Sequence, residues 1–159
     1  MSTLDLVAAH LTALGLRYRA TDDGVILIEF TGGNTLYEAA IEPRGPLVRV
    51  VVPTVSMIPG PRLDETIRVV NLLNGAKVVF GGFWVDPGRS RVSFELALAA
   101  PDGPTLDQVD FAMSALTQID ACYPILAAVI WGGMTAETAL LVASAREPRD
   151  EPPALDLAI

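Results

Sequence analysis

Three residue types occur once each in this 159-residue chain: cysteine (Cys122), histidine (His10) and lysine (Lys77). A lone cysteine excludes an intrachain disulfide framework. One histidine and one cysteine are too few for a zinc site. Cys122 has no neighbouring base in the sequence and lies in an apolar helical run, the usual setting of an inert thiol. His10 flanks the apolar stripe of a first helix, so a place at the core boundary is expected rather than a ligand or catalytic role. Charge is also sparse, at 19% of residues, and the balance is −8. A single lysine and scattered arginines do not make the basic footprint that nucleic-acid phosphates require, so direct nucleic-acid binding is not expected.

Long apolar runs are absent too. The longest uncharged stretch, between Asp120 and Glu137, is about sixteen residues and is interrupted by Pro124 and Gly132-Gly133. A bilayer-spanning helix needs about twenty. The first residues lack the basic-then-apolar order of a secretory signal. The chain is expected to be soluble and cytoplasmic, with no membrane partner. Chemical motifs are missing as well. Gly81-Gly82 is not followed by a helix start or a Lys-Ser/Thr pair, so it is no phosphate loop, and no calcium loop or hydrolase elbow occurs. Asp22-Asp23 and Asp64-Glu65 suit a turn and a helix start. Asp107 and Asp110, one helical turn apart, suit a solvated face better than a weak cation site. No catalytic, metal-binding or cofactor-binding residue is therefore assigned, and enzymatic activity is not expected.

What the chain has is apolar surface. Its hydrophobic fraction, 51%, exceeds what a monomer of this length needs to hide, and oligomerisation or partner binding is the natural outlet. The length suits a single domain, expected over residues 1–146. Residues 147–159 are rich in proline and acid and suit a flexible tail, although Leu155, Leu157 and Ile159 could dock on a partner.

Residues 61–99 organise the rest. Pro61 pre-sets a first helical turn, Asp64 and Glu65 complement its dipole, and Asn74-Gly75 is the expected stop. Leu63, Ile67, Val70 and Leu73 belong to a stripe wider than one sheet contact needs. The helix is either sandwiched within the monomer or meets a second subunit. Residues 77–85 are β-branched and aromatic, residues 86–90 form a turn, and residues 91–99 alternate with period two. Gly81-Gly82 suggests a bulge or a close backbone approach.

Ahead of this stretch, Ser2 or Thr3 caps a first helix that Gly15 stops. Four strands follow, at about residues 17–20, 25–30, 35–41 and 47–55. The second is apolar on both faces and is expected at the centre of the sheet. Pro53 implies an edge or a strand end. After it, Thr105 caps a helix that Pro124 should kink or break. Residues 125–131 are apolar all round, and Thr135 caps a last helix to about Arg146.

The arrangement of Asn71-Leu72-Leu73-Asn74, Gly82-Phe83-Trp84-Val85-Asp86, Arg91-Val92-Ser93-Phe94-Glu95 and Tyr123-Pro124-Ile125-Leu126 resembles the YbjN-like family over residues 4–135. That family's members are described as regulators of sensory transduction, with a fold similar to type III secretion chaperones. The resemblance implies an α+β fold, an antiparallel sheet packed with helices in the order α-ββββ-α-ββ-α(α). It also implies a non-enzymatic, chaperone-like adaptor that works as a homodimer and binds a protein partner. No catalytic residue comes with it. Candidate contact residues are Leu63, Ile67, Val70, Leu73, Trp84, Tyr123, Leu126, Ile130 and Trp131, and an exposed sheet edge offers strand addition. The alternative is a small-ligand domain with Phe80, Trp84 and Trp131 walling an apolar pocket.

Overall fold

A computed structural model describes residues 2–146, so the expected flexible tail lies outside the described residues. The first helix, α1 (Thr3–Ala13), opens on a reciprocal cap. The Ser2 hydroxyl accepts from the Asp5 N–H at 3.1 Å, and the Asp5 carboxylate accepts from the Ser2 N–H at 2.8 Å. Val7 and Leu11 bury its inner side. His10 donates from Nε2 to the Pro104 carbonyl at 2.9 Å, which ties this helix to a distant loop.

Strands β1 (Arg19–Ala20), β2 (Ile26–Thr31), β3 (Leu36–Arg44), β4 (Leu47–Val55), β5 (Gly82–Asp86) and β6 (Arg91–Ala99) form one antiparallel sheet. Their order is β1-β2-β3-β4-β6-β5. The register sets Ile26, Ile41, Val50 and Leu96 in one row, and Val52, Phe94 and Phe83 in another. These residues are buried and meet apolar residues from all five helices in one core. The opposite face carries Glu42, Arg49 and Glu95. Arg49 makes a two-pronged contact with Glu95, at 2.6 and 2.7 Å. Those hydrogen bonds hold the Glu95 carboxyl below its ordinary value.

A short 3₁₀ turn (Gly60–Arg62) leads into α2 (Leu63–Ala76). This helix packs against β5 and against two later helices, α4 (Thr117–Ile130) and α5 (Ala136–Arg146). Its flanks finish the ends of both. Arg62 donates to the Val129 carbonyl at 2.6 and 2.9 Å and to the Met134 carbonyl at 2.5 Å, where α4 has run out of helical donors. The Glu65 carboxylate accepts from the Ala136 N–H at 2.9 Å at the start of α5. Within the chain α2 is packed between β5 and the two later helices, with Ile67 left on an exposed flank.

Several expectations are corrected. Helix α2 does not stop at Asn74-Gly75 but runs to Ala76. Asn74 serves β5 instead: it donates to the Phe83 carbonyl and accepts from the Phe83 N–H, both at 2.8 Å. The next strand starts at Gly82, not at Lys77. Residues 79–80 are held away from the sheet by Gln118, which accepts from the Val79 N–H and donates to the Phe80 carbonyl. Gly81 then turns with φ +76°, and a Cβ there would strike the Glu95 carbonyl oxygen and the Phe94 ring, so the close-approach reading holds. Strand β2 is not central. It is second from the edge, with Glu29 exposed, because only two-residue β1 lies outside it. Pro53 lies in an internal strand, but beyond the end of the β3–β4 pairing at Val51, so its missing N–H costs no ladder bond to β3.

The helix expected to break at Pro124 breaks earlier. Helix α3 (Leu106–Ala115), capped by Thr105, ends at Leu116, and α4 runs through Pro124. Residues 106–130 are long and apolar enough, by length and composition, to cross a membrane. Here Val109, Ala112, Leu116, Ile119, Ile125 and Leu126 are spent on the sheet's core instead.

Asn74→Ala should lower stability by about 1–2 kcal/mol, because both Phe83 main-chain groups lose their partner. Asn74→Asp should cost a similar amount, since a carboxylate cannot donate to the Phe83 carbonyl. Urea unfolding measures both; a variant as stable as the parent would remove this role for Asn74.

Candidate functional site

The arrangement begins with a consequence of Pro124. In a helix the N–H of residue 124 would bond the carbonyl of residue 120, and proline has none. The freed Asp120 carbonyl accepts from the Asn34 side-chain amide at 3.0 Å. The Asp120 carboxylate accepts three more bonds: from the Gly33 N–H at 2.8 Å, the Asn34 N–H at 3.1 Å and the Tyr37 hydroxyl at 3.0 Å. One residue of α4 thus holds the whole β2–β3 turn. Gly32 is required beside it, because a Cβ would run into the Asp120 carboxyl and the Tyr37 ring. Partial burial pushes the Asp120 carboxyl up, but the hydrogen bonds from Gly33, Asn34 and Tyr37 outweigh it and hold the group below its ordinary 3.8. Burial and this partner both raise the Tyr37 hydroxyl.

The clamp fixes β2 beside a groove of about 340 Å³. The groove is lined by Leu16 and Arg17, by Ile28–Thr31 of β2, and by Met113, Leu116 and Thr117 around the α3–α4 junction. Pairing between β1 and β2 ends at Leu27, so, among the described residues, residues 28–31 have no strand neighbour on that side, where Leu16 and Arg17 pass without ladder pairing. The groove therefore combines an open strand edge with an apolar bed. From Phe30 a line of ring contacts runs through the buried Tyr37 to the exposed end of α4: Phe30 stacks on Tyr37 at 5.0 Å, Tyr37 meets Tyr123 edge-on at 6.2 Å, and Tyr123 lies 6.4 Å from Trp131.

The sequence-derived contact candidates separate on burial. Val70, Leu73, Leu126 and Ile130 are buried in the chain's own core and present nothing to a partner in this conformation. Leu63 and Tyr123 are half-buried against that core. Ile67 is 39% exposed and Trp131 53%. Trp84 is half-buried on the charged face of the sheet, with the Arg91 guanidinium 6.0 Å from its ring centre. The pocket imagined between Phe80, Trp84 and Trp131 does not form. Phe80 packs on Phe111 ahead of β5, Trp84 faces the other side of the sheet, and Trp131 ends α4.

Sequence reasoning missed the β2 groove and Asp120. The signal for Asp120 was present: it stands four residues before a helical proline, and Gly32-Gly33-Asn34 supplies a turn that needs an acceptor. Burial pushes the Cys122 thiol up to about 11, in keeping with an inert thiol. Among the described residues, no group of three or more His, Cys, Asp or Glu side chains is placed to hold a metal ion.

The fold is an antiparallel α+β sheet with its helices on one face. The profile of the YbjN family, described as "Putative bacterial sensory transduction regulator", matches residues 3–128, and the chain belongs to that family. Among solved structures it is similar to YbjN from E. coli, described as "a putative transcription regulator". The identity is 14% over 79% of this chain and 89% of that one, with a TM-score of 0.61. It is also similar, at 12% identity and a TM-score of 0.47, to a chain of the HopA1-SchA chaperone–effector complex, over 75% of this chain and 90% of that one. A comparison with curated proteins finds no match.

Asp120→Ala should cost about 2 kcal/mol, the scale of losing several bonds to one charged group. The Asp120 contribution is fully present above its unfolded value, near 3.8, and is lost as pH falls through the lower folded value. Asp120→Asn should therefore lose stability at neutral pH and show a shallower decline below pH ~4. Parallel acid titrations of the two chains would exclude the clamp if their curves ran parallel throughout.

Proposed function

We propose that this YbjN-family protein is a non-catalytic adaptor that binds an extended segment of a partner protein on the open edge of β2. The observation that carries the reading is the unpaired side of Ile28–Thr31 above the groove lined by Met113 and Leu116. An added strand would gain main-chain hydrogen bonds from the edge and bury alternate side chains in the groove. The apolar surplus of the chain agrees with a binding role. The adaptor works as a cytoplasmic homodimer, with the α2 flank at Ile67 and the end of α4 at Trp131 as contact surfaces. Both residues are large, apolar and exposed.

Cross-linking of the tagged full chain in its source cell, read by mass spectrometry, tests the partner site. Cross-links are expected around residues 28–31 and 113–117. Met113→Glu should reduce recovery of the partner severalfold. Partner cross-links confined to other surfaces would overturn the reading. Light scattering on a dilution series tests the second part: a dimer is expected, Ile67→Glu should weaken it, and a monomer at every concentration would remove it.

A further inference from the structure

A second groove, about 640 Å³, lies between α4, α5 and the end of α2. Small side chains line much of it, Ala121 and Ala128 from α4 and Ala139 and Ala143 from α5, beside Ile125 and Val142. Its lining is mostly apolar, and both basic groups on it, Lys77 and Arg146, belong to a chain with only eleven such residues. It is only partly enclosed, which suits a peptide better than a buried small molecule. A fitting occupant is apolar and carries carboxylates.

Residues 147–159 have that chemistry. They follow directly from Arg146, which is itself a lining residue. Glu147, Asp150 and Glu151 come first, against one guanidinium, Arg149. Leu155, Leu157 and Ile159 then alternate with Asp156 and Ala158, so an extended chain would present three apolar side chains on one side. Reach is sufficient. The α5 wall, eleven residues of helix, is about 16 Å long. The eight residues before Leu155 span roughly 25 Å when extended, at about 3.1 Å each.

We infer that the α4–α5 groove is the docking site of residues 155–159 of the same chain, with the carboxylates of residues 147–151 drawn to Lys77 and Arg146. Docking covers the apolar lining. The inference is independent of the β2 edge, which lies on a different part of the molecule.

The test is a full-length chain carrying Cys122→Ser and a nitroxide on Ala158→Cys. At least twofold loss of amide NMR intensity is expected at Ile125, Ala128, Val142 and Ala143, unchanged on dilution, with β2 unaffected. The loss should vanish when Leu155, Leu157 and Ile159 are all replaced by Asp. No loss at these four amides would overturn the inference. So would a loss that appears only when isotope-labelled and spin-labelled chains are mixed, which would assign the groove to a second copy. Should Cys122→Ser not fold, the same three Asp replacements in the otherwise unaltered chain give a second reading. Amide shifts at the four residues should move, and unmoved shifts would overturn docking.

Discussion

A proline inside an α-helix orphans the carbonyl four residues before it, and in α4 that carbonyl belongs to Asp120. The orphan is answered by Asn34, and the same residue's carboxylate takes the Gly33 and Asn34 N–H groups and the Tyr37 hydroxyl. Helix α4 lies across the inner face, packed with α2, while the turn it grips joins β2 to β3 at the far side of the sheet. The clamp therefore fixes where the first half of the sheet stands relative to the helical layer. It also fixes the position of the β2 edge, because Gly32 and Phe30 flank the clamped turn and both line the groove.

Similar side-chain work recurs at other places where main chain leaves regular structure. Asn74 offers one donor and one acceptor to Phe83, as a neighbouring strand would. Gln118 does the same for Val79 and Phe80. Arg62 finishes the end of α4 and Glu65 the start of α5. These polar side chains stand on helices or directly beside them, and they act on other elements, from 9 to 72 residues away in sequence. An apolar core alone fixes layers but not strand ends. The paired amides and charges decide where strand β5 begins and how α4 gives way to α5.

This division explains how much was legible in the sequence. Local signals were readable. The Ser2 and Thr105 caps, the alternation of residues 91–99 and the Gly132-Gly133 break each concern residues within one turn or one strand, and the structure has them. The family was readable too, from short runs in a fixed order. Long-range competition was not. Asn74-Gly75 has the composition of a helix stop, but β5 takes the Asn74 side chain and the helix runs on. Residues 77–80 have strand composition, but Gln118 and the positive φ of Gly81 hold them off the sheet. Val70, Leu73, Leu126 and Ile130 looked available for a partner because apolar periodicity reports burial without saying by what. The groove beside β2 left no trace, since it arises from a neighbouring strand being only two residues long.

The two edges of the sheet are treated differently, and the difference bears on function. Unpaired strand edges invite association, and proteins generally blunt them. At the β5 edge, Asn74 occupies both main-chain groups of Phe83, so an incoming strand would have to displace an existing pair of bonds. At the β2 edge, among the described residues, the strand pairing is to β1 alone, and it stops before Ile28, where Leu16 and Arg17 pass beside the strand. What remains there is short, and it lies in a groove rather than on an open rim. A short recessed edge resists pairing between flat sheets, which need a long exposed strand, and the proposed partner segment would be a single extended one. On the proposed reading, the geometry that disfavours indiscriminate association would leave one narrow place for a selective one.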